Sequence, residues 1–514
     1  MEPTQKKNGF ASGIGFVLAS AGSAVGLGNL WAFPFKASAN GGAAFVFVYL
    51  GCVLLVGIAT MITEIYLGKR VAANPVTAFK SAHPKMGFFG LLVVMVPFLI
   101  SCYYSVLGGY TLKYTAHSFS GNSGILASFS TNTLEVVLFT SLFFLLTLLI
   151  IMGGVKGGIE RASKILMPAL FLILVFIAIF CLCLGEGVSD GVNRFLNPDF
   201  YAFFHDAEGK VSFNGLLAAM GQSFFSLSLG MGAMVCYGSY TGKEIKIGKS
   251  VLMICLFDSI VALLAGLAMF SAIGALLPEQ LNSSGGIGLM FNVLPEVFEK
   301  MGAVGHLISF LFFAMVSIAA ITSVISLAEV ATQFIVQKWK VSRKKAAAAV
   351  VLSAFTLSIP VGISLGRVGI CGEEGISLFG FDLLTFLDEA TNAVLMPFCA
   401  CAACVTLGWM MGEKKRLKDY FNPRYTADML QRDGLALGRL TPLYAVAVKY
   451  IAPLLILFLD ISGIVTNVAK NPNYWFVIGF ALLLVALAAL LYFLLLYKKE
   501  TGSNADEVAL EKSK

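Results

Sequence analysis

The chain of 514 residues is 58% hydrophobic and 13% charged, whereas soluble globular chains are about 45–50% apolar and about 25% charged. This composition, with a mean hydropathy of +0.85, excludes a water-soluble, disordered or disulfide-scaffold protein and indicates a polytopic membrane protein. The net charge of +7 comes from basic residues in short loops, so it bears on membrane topology and not on nucleic-acid binding.

Apolar runs of about eighteen residues or more can cross a hydrocarbon core about 30 Å thick as helices. The sequence therefore predicts an all-α polytopic membrane protein with twelve transmembrane helices, which we number as spans 1 to 12. They cover residues 10–36, 41–68, 87–115, 134–153, 161–184, 214–240, 248–277, 303–336, 345–364, 382–411, 441–466 and 473–497.

The distribution of basic residues predicts the orientation of these spans. If the N-terminus is cytoplasmic, the segments that face inward hold 28 of the 36 Lys and Arg residues. Because cytoplasmic loops are enriched in basic residues, we expect a multi-pass protein of the cell membrane, the inner membrane in a bacterium. Both termini, residues 1–9 and 498–514, are expected in the cytoplasm. We interpret the first apolar run as a span and not as a cleavable signal.

Nine of the ten cysteines lie inside apolar runs, and Cys371 lies in a predicted loop. The cluster Cys399-x-Cys401-x-x-Cys404 has a spacing found in metal sites, but its flanks are apolar helix without a nearby His. This context favours small buried hydrophobic side chains over metal ligands, and no structural disulfide is predicted.

Residues 8–35, around span 1, and residues 211–242, around span 6, carry no charged side chain and are rich in glycine at their centres. The two central segments are Ser23-Ala24-Val25-Gly26-Leu27-Gly28-Asn29 and Ser226-Leu227-Ser228-Leu229-Gly230-Met231-Gly232. Paired glycines at mid-membrane allow a helix to unwind around a ligand, although close helix packing through small residues is an alternative. Freed carbonyls and hydroxyls suit Na⁺, and half-helix N-termini suit a carboxylate.

The recurrence of such a segment after five spans predicts two five-helix repeats of opposite orientation. The first repeat would cover residues 10–184 and the second residues 214–411, with spans 11 and 12 (441–497) outside the repeat.

Several motifs together resemble the neurotransmitter:sodium symporter family, in particular its bacterial amino-acid transporter branch. The match is strongest over residues 23–31, continues through Phe33-Pro34 and Asn40-Gly41-Gly42, and runs through all twelve spans in order. It includes Cys102-Tyr103-Tyr104, Lys156-Gly157-Gly158-Ile159-Glu160-Arg161, residues 221–230 and Thr322-Ser323. The family implies an inverted five-plus-five repeat with unwound first and sixth helices, and a substrate and two sodium ions at its centre.

The resemblance implies two sets of sodium ligands. One set comprises the carbonyls of Gly22, Val25 and Ala319 with the hydroxyls of Thr322 and Ser323. The other comprises the Ala24 carbonyl, the Asn29 amide oxygen, Ser226 and Asp258, completed by the substrate carboxylate. Without the family match, Thr322 and Ser323 would be interpreted as hydroxyls bonded within their own helix.

The resemblance also implies the substrate contacts. The carboxylate should meet the Gly28 N–H and the Tyr104 hydroxyl, and the ammonium should meet carbonyls of Ala24, Phe225 and Ser226 with the Ser228 hydroxyl. Amine-transporting relatives have an Asp where this chain has Gly26, which favours an amino acid over a monoamine. The side-chain pocket would be lined by Leu27, Ile100, Phe225, Met231, Ser326 and Leu327, which favours a hydrophobic or aromatic side chain.

The chain departs from the family pattern at both gates. The outer Arg–Asp pair is replaced by Ala32 and Thr385, and a displaced pair of Lys36 and Asp382 is one alternative to two solvated charges. At the inner gate, Lys7, Phe10 and Gln337 replace a family Arg, Trp and Asp, while Ser239 and Tyr240 match, so inner closure is expected to be weaker. Asp388 and Glu389 in span 10 are either hydrogen-bonded interior carboxyls or sites of proton coupling or a third ion.

The predicted function is sodium-coupled symport of a hydrophobic or aromatic amino acid into the cell by alternating access. A proton-influenced amino-acid carrier and a transporter-derived amino-acid sensor are the alternatives. The four His residues are scattered and no catalytic motif is present, so an enzyme is not expected. Two sodium ions and no organic cofactor are predicted. The expected partners are the amino acid and the lipid bilayer, with no nucleic acid, and the protein is expected to be a monomer or homodimer. Because Asp258 supplies a fixed carboxylate near Tyr49, Gln222 and Ala262, transport is expected not to need chloride.

Overall fold

Long apolar helices make up most of the computed structural model, which describes residues 9–206, 208–242, 244–281, 287–372, 375–411, 422–432, 437 and 440–497. Within these residues, ten helices are long and apolar enough to cross a membrane. They fall on ten of the predicted spans: Ala43–Val71 (span 2), Pro84–Ser120 (3), Thr133–Met152 (4), Val155–Leu182 (5), Ile247–Leu276 (7), Ala303–Trp339 (8), Arg343–Ile370 (9), Leu383–Met410 (10), Thr441–Lys470 (11) and Tyr474–Leu494 (12).

The two remaining spans are each interrupted near the middle. Span 1 consists of the helices Gly13–Ala24 and Gly28–Ala39, which meet at an angle of 57° and together are long enough to cross the membrane. Span 6 consists of Asn214–Ser226, with 13 residues, and Ala233–Ser239, with 7 residues. Neither half of span 6 alone is long enough for a crossing, so a count of twelve crossings and the inverted repeat both stay predictions.

Short elements connect the spans. They are the helices Pro75–Lys80, Ile125–Thr131, Val188–Leu196, Phe200–Phe204, Leu294–Lys300 and Pro423–Arg432. Between spans 9 and 10 the chain forms a two-residue hairpin in which β1 (Ser377–Leu378) pairs antiparallel with β2 (Phe381–Asp382). This hairpin lies in a loop outside the predicted helices, and Gly380 with a φ of +86° permits its tight reversal.

The spans differ in how deeply they are buried. In spans 3 and 8, 72% of the most apolar 18-residue window is buried inside the protein, compared with 28% in spans 11 and 12. Spans 3 and 8 therefore form the interior of the bundle, together with the broken spans. The exposed faces of spans 11 and 12 carry large apolar side chains such as Leu454, Trp475 and Leu482, which suits contact with lipid.

Span 2 and the inner half of span 6 approach each other closely through glycines. A Cβ atom added at Gly68 would lie 1.8 Å from the Val235 carbonyl oxygen, and one at Gly238 would lie 2.3 Å from the Ile65 carbonyl oxygen. Small residues allow membrane helices to make such backbone-to-backbone contacts. This contact fixes the inner half of span 6 against the span that also carries Glu64.

We predict that Gly68→Ala destabilises the protein, because the added methyl group must push two backbones apart. Overpacking of this kind costs about 1–3 kcal/mol, measured as a lower midpoint of thermal unfolding in detergent. Gly51→Ala is the matched control, since Gly51 is in the same span and a Cβ there meets no atom within 4 Å. An equal effect of the two substitutions would contradict the close-contact interpretation.

Candidate functional site

The break in span 1 is held by side chains that replace helical hydrogen bonds. Val25 leaves the helix with a ψ of 107°. The Gly26 N–H donates to the Asn29 side-chain oxygen at 3.2 Å, and the Leu27 N–H donates to the Tyr104 hydroxyl at 2.8 Å. Because unpaired backbone groups are costly away from water, these bonds stabilise the unwound segment in place.

The break in span 6 depends on left-handed backbone conformations. Ser228, Gly230 and Gly232 have φ values of +53°, +77° and +68°. The Ser228 hydroxyl donates to the Ser23 carbonyl at 2.8 Å, which joins the two breaks directly. A Cβ at Gly230 would lie 2.1 Å from the Met396 carbonyl oxygen, so glycine is required there for space as well as for conformation.

Glu64 of span 2 supports the break in span 6. Its carboxylate accepts a hydrogen bond of 2.7 Å from the Gly230 N–H, and its side chain is 1% exposed. No role for Glu64 was predicted from the sequence. Its position as the single acid within an apolar run was the signal that marked it, because charged residues inside membrane spans are rare and functional.

A buried polar cluster forms around Asp258 in span 7. The Asn29 amide donates to one carboxylate oxygen at 2.7 Å, and the hydroxyls of Ser226 and Tyr49 donate to the other at 2.7 and 3.2 Å. Asn29 also donates to the Ser226 hydroxyl at 2.8 Å. Asn29, Tyr49 and Asp258 are fully buried. The structure thus brings together Asn29, Ser226 and Asp258, which the family resemblance assigned to one sodium site.

A second oxygen-rich cluster joins span 1 to span 8. The Ser323 hydroxyl lies 3.5 Å from the Gly22 carbonyl oxygen and 3.4 Å from the Val25 carbonyl oxygen. The Thr322 hydroxyl donates to the Ala319 carbonyl at 3.0 Å. Gly22 packs against Thr322, whose Cβ would lie 3.1 Å from a Cβ at position 22. All five residues assigned to the other sodium site are therefore neighbours.

A cavity lies between the two breaks. It contains about 350 Å³ of space not filled by protein atoms, including space open to solvent. Eight of the eleven residues predicted to bind substrate line it, with four others. The lining residues are Ser23, Ala24, Gly26, Gly28, Asn29, Ile100, Tyr104, Phe225, Ser228, Met231, Ser323 and Leu327.

Three predicted substrate residues lie next to this cavity without lining it. Leu27 contacts Tyr104 through its backbone N–H, and Ser226 belongs to the Asp258 cluster. The Ser326 hydroxyl is 2.7 Å from that of Ser23 and donates to the Ser323 carbonyl at 2.7 Å. Ser326 is therefore committed to protein contacts in this conformation.

Two glycines of span 1 leave room for the side chains that form the cavity wall. A Cβ at Gly26 would lie 2.7 Å from the Tyr104 hydroxyl oxygen and 2.9 Å from the Ser323 hydroxyl oxygen. A Cβ at Gly28 would lie 2.4 Å from the Phe225 ring. Larger side chains at either position would displace the groups that form the wall.

An ionic cluster joins the end of span 6 to spans 8 and 9, and of its three residues only Tyr240 was predicted from the sequence to lie at the inner gate. Arg343 binds Glu329 with two hydrogen bonds of 2.9 and 2.5 Å, and the Tyr240 hydroxyl donates to Glu329 at 2.7 Å. The Phe10 N–H donates to the Tyr240 carbonyl at 3.1 Å. In the sequence, Glu329 stands out as an acid within an apolar span, and Arg343 is one of several basic residues after span 8. Only the fold shows that the two form a pair.

The other residues of the predicted inner gate have different partners. The Gln337 side-chain oxygen accepts hydrogen bonds of 2.8 Å from the backbone and side-chain nitrogens of Asn74. Gln333 donates to the Ser239 hydroxyl at 2.6 Å. Phe10 is 6% exposed and packs against Tyr237, with ring centroids 5.6 Å apart. Lys7 lies outside the described residues.

The carboxylate of Asp382, predicted to lie at the outer gate, bonds Thr385 and caps the start of span 10. It accepts from the Thr385 N–H at 3.0 Å and from the Thr385 hydroxyl at 2.7 Å. Lys36 lies within electrostatic range of Asp388 and Glu389. Two acids outside the predicted Lys36–Asp382 pair therefore help to compensate the charge of Lys36. Ala32 is half-buried.

Both acids of span 10 have hydrogen-bond donors. Asn392 donates to Asp388 at 2.5 Å, and the Tyr474 hydroxyl of span 12 donates to Glu389 at 3.0 Å. These contacts fit the alternative of hydrogen-bonded interior carboxyls. Within the described residues, no three His, Cys, Asp or Glu side chains converge to hold a metal ion, and Cys399, Cys401 and Cys404 are buried thiols.

Two helices broken near their middle around a shared cavity are characteristic of secondary transporters. The model of the sodium:neurotransmitter symporter family matches residues 7–137 and 127–500. The chain belongs to this family, and the predicted resemblance is confirmed. Its relatives are sodium-dependent transporters, so the protein is a multi-pass membrane transporter and not an enzyme.

Individual proteins support this assignment. An uncharacterized sodium-dependent transporter of Bacillus subtilis, YhdH, is 35% identical over 409 residues, which are 76% of this chain and 86% of that protein. The sodium-dependent nutrient amino acid transporter 1 of Drosophila melanogaster is 26% identical over 66% of this chain and 63% of its own length. The crystal structure of MhsT in complex with L-phenylalanine aligns with a TM-score of 0.77 and 33% identity, covering 89% of this chain and all of MhsT.

We predict that Arg343→Met destabilises the protein by up to about 3 kcal/mol, because it leaves the buried Glu329 carboxylate without its countercharge. Thermal unfolding in detergent measures this loss. Lys210→Met is the control, since Lys210 and Glu208 form an ion pair of 2.7 Å whose side chains are 75% and 72% exposed, and such pairs contribute about 0–1 kcal/mol. Adding Glu329→Gln to Arg343→Met should recover part of the loss; no recovery would argue against an unpaired charge as its cause.

Proposed function

We propose that the protein carries a hydrophobic or aromatic amino acid into the cell by sodium-coupled symport with alternating access. One observation carries this proposal. The same cavity is lined by Asn29, from the cluster around Asp258, and by Ser323, from the cluster between spans 1 and 8. An amino acid in this cavity would touch both candidate ion sites, which is the arrangement that direct coupling requires.

The ligands of the two proposed sodium sites are oxygen atoms, as a hard cation prefers. One site consists of the Gly22, Val25 and Ala319 carbonyls with Thr322 and Ser323. The other consists of the Ala24 carbonyl with Asn29, Ser226 and Asp258. Support for the latter comes from burial: a carboxylate with no exposed surface is costly unless a cation compensates its charge.

The surroundings of Tyr104 and Gly26 support the proposed contacts of the substrate's charged groups. Tyr104 accepts the Leu27 N–H through its oxygen, so its hydroxyl hydrogen can be directed to a substrate carboxylate. The space beside Gly26 supports an amino acid over a monoamine. An acidic side chain at this position, as in amine-transporting relatives, would need to pass the Tyr104 hydroxyl, 2.7 Å from the Cβ position.

The proposed side-chain pocket is mainly apolar. Ile100, Phe225, Met231 and Leu327 line the cavity, and Met adapts its shape to irregular ligands. MhsT, which shares 33% identity with this chain, has been crystallised with L-phenylalanine. Both observations support an aliphatic or aromatic amino acid as the substrate.

The energy available from sodium is sufficient for accumulation. One elementary charge gains about 2.3 kcal/mol per 100 mV of membrane potential, and a tenfold sodium gradient adds about 1.4 kcal/mol. Two sodium ions entering with one zwitterion would thus supply roughly 7 kcal/mol. The cytoplasmic cluster of Tyr240, Glu329 and Arg343 provides the inner closure that alternating access needs.

We predict that leucine, phenylalanine or another large apolar amino acid raises the unfolding midpoint in sodium but not in potassium. A ligand at one hundred times its Kd adds about 2.7 kcal/mol of stability by mass action. The measurement is a thermal-shift panel of twenty amino acids with each cation, followed by uptake into proteoliposomes, which distinguishes a carrier from a sensor. If no amino acid stabilises the protein in sodium, the substrate class is wrong.

A matched pair of variants tests the sodium ligands in this panel. Thr322 and Thr332 are buried residues of span 8 whose hydroxyls both donate to carbonyls of their own helix, at 3.0 and 2.8 Å. Of the two residues, Thr322 belongs to the proposed site. Thr322→Ala should raise the sodium concentration needed for half-maximal stabilisation, whereas Thr332→Ala should leave it unchanged.

We also predict transport that needs sodium but not chloride, because Asp258 supplies the fixed negative charge near one sodium site. Uptake into proteoliposomes should persist when gluconate replaces chloride at constant sodium. Asp258→Asn should weaken the apparent sodium affinity or create a chloride response. Loss of most uptake in gluconate by the unmodified protein would overturn the role given to Asp258.

A further inference from the structure

We propose that Glu160 is a positioning residue that holds the first half of span 1 in its inward-closed position and must release it for opening to the cytoplasm. Glu160 ends the short π-helix Val155–Glu160 with which span 5 begins, in the motif Lys156-Gly157-Gly158-Ile159-Glu160-Arg161. The inference deepens the proposed function, since it names a residue that sets the balance between closed and open states of the same transporter.

The carboxylate of Glu160 binds the segment that begins span 1. One oxygen accepts from the Ala11 N–H at 2.6 Å, and the other accepts from the Ser12 hydroxyl at 2.9 Å. Glu160 is 1% exposed. Gly15 lies directly against the carboxylate, because a Cβ there would be 2.1 Å from the same oxygen. Glu160 therefore contacts span 1 through a backbone N–H, a side-chain hydroxyl and close packing against Gly15.

The contact supplies a negative charge to a helix end that has none of its own. The half-helix Gly13–Ala24 contains no charged residue, and its N-cap Ser12 accepts the Gly15 N–H at 3.1 Å. Negative charge stabilises helix N-termini, whose first N–H groups lack helical partners. Since Glu160 is on span 5, the half-helix has this stabilisation only while it lies against span 5.

Span 5 also contacts the other end of the same half-helix. A Cβ at Gly22 would lie 3.1 Å from the Met167 sulfur and 3.1 Å from Thr322. Gly22 contributes a carbonyl to one proposed sodium site. Because the half-helix is continuous from Gly13 to Ala24 and bends only at the break, a movement at Glu160 is transmitted to the Gly22 carbonyl as a rigid body.

A purely structural role for Glu160 would come from its ion pair with Lys164. The Lys164 ammonium lies 2.6 Å from one carboxylate oxygen, and its side chain is 39% exposed. This pair is within span 5 and would persist if span 1 moved away. Removing Lys164 therefore tests the ion pair alone, whereas neutralising Glu160 removes the ion pair and also weakens the contact with span 1.

The test uses the full-length protein in membrane vesicles and a native reporter cysteine. Cys236 is fully buried in the inner half of span 6 and is followed in the chain by Tyr237. The Tyr237 ring contacts that of Phe10, and Phe10 directly precedes Ala11, which binds Glu160. Movement of the half-helix Gly13–Ala24 away from span 6 would expose this region to the cytoplasm. The rate of Cys236 alkylation by a membrane-impermeant maleimide applied from the cytoplasmic side is measured by peptide mass spectrometry.

We expect Glu160→Gln to raise the alkylation rate of Cys236 by about tenfold, the change expected from losing a hydrogen bond to a charged group. Lys164→Met and Glu135→Gln, which removes the acid of the outer Lys113–Glu135 pair at 2.8 Å, should leave the rate near that of the unmodified protein. Unchanged Cys236 reactivity in a Glu160→Gln protein with normal uptake would overturn the proposal, as would an equal increase in Lys164→Met.

Gly15→Ala provides a second test if Glu160→Gln does not fold. It keeps the carboxylate but pushes it away from Ala11 and Ser12, and it should raise Cys236 reactivity in the same direction. These experiments distinguish an error in the proposed substrate class from an error in the role proposed for Glu160. If no amino acid stabilises the protein while Glu160→Gln still exposes Cys236, the positioning role stands and the substrate class is wrong; if amino acids stabilise the protein and Cys236 does not respond, the positioning role is wrong.

Discussion

The structure depends on one constraint: a helix that is broken inside a membrane must find partners for the backbone groups that the break releases. In spans 1 and 6 most of these partners are side chains from other spans, and Asn29 within span 1 accepts the Gly26 N–H. Tyr104 accepts the Leu27 N–H, Glu64 accepts the Gly230 N–H, and Ser228 donates to the Ser23 carbonyl. Tyr104, Ser228 and Ser23 also line the cavity, so the groups that permit the breaks are the groups available to a ligand.

Three buried acids share a second property, which is that each binds at least one partner in another span. Asp258 binds residues of spans 1, 2 and 6, Glu329 binds Arg343 and Tyr240, and Glu160 binds the start of span 1. Separating a buried charge from its partners is costly. Such contacts favour discrete arrangements over gradual deformation, and a transporter that alternates between two states needs discrete arrangements.

The two gates illustrate how different residues can meet the same requirement. The family's outer Arg–Asp pair is missing, and Lys36 instead lies near Asp388 and Glu389, which are also bonded to Asn392 and Tyr474. On the inner side, Gln337 binds Asn74, while the ionic contact is made by Glu329 and Arg343. The departures at Phe10 and Gln337 did not suggest this ionic contact.

The sequence by itself determined the membrane class, ten of the spans and the two glycine-rich segments where helices break. These features are local: apolar length and glycine pairs act through the residues that contain them. The family motifs also placed Asn29, Ser226 and Asp258 in one cluster and Thr322 and Ser323 near Gly22. The tertiary structure alone decided that Glu64 binds Gly230, that Glu160 binds Ala11 and Ser12, and that Glu329 binds Tyr240, because these groups are far apart in the chain and no spacing encodes the contacts. It also decided that Asp382 caps its own helix, since a cap and an ion pair are equally compatible with an acid at that position.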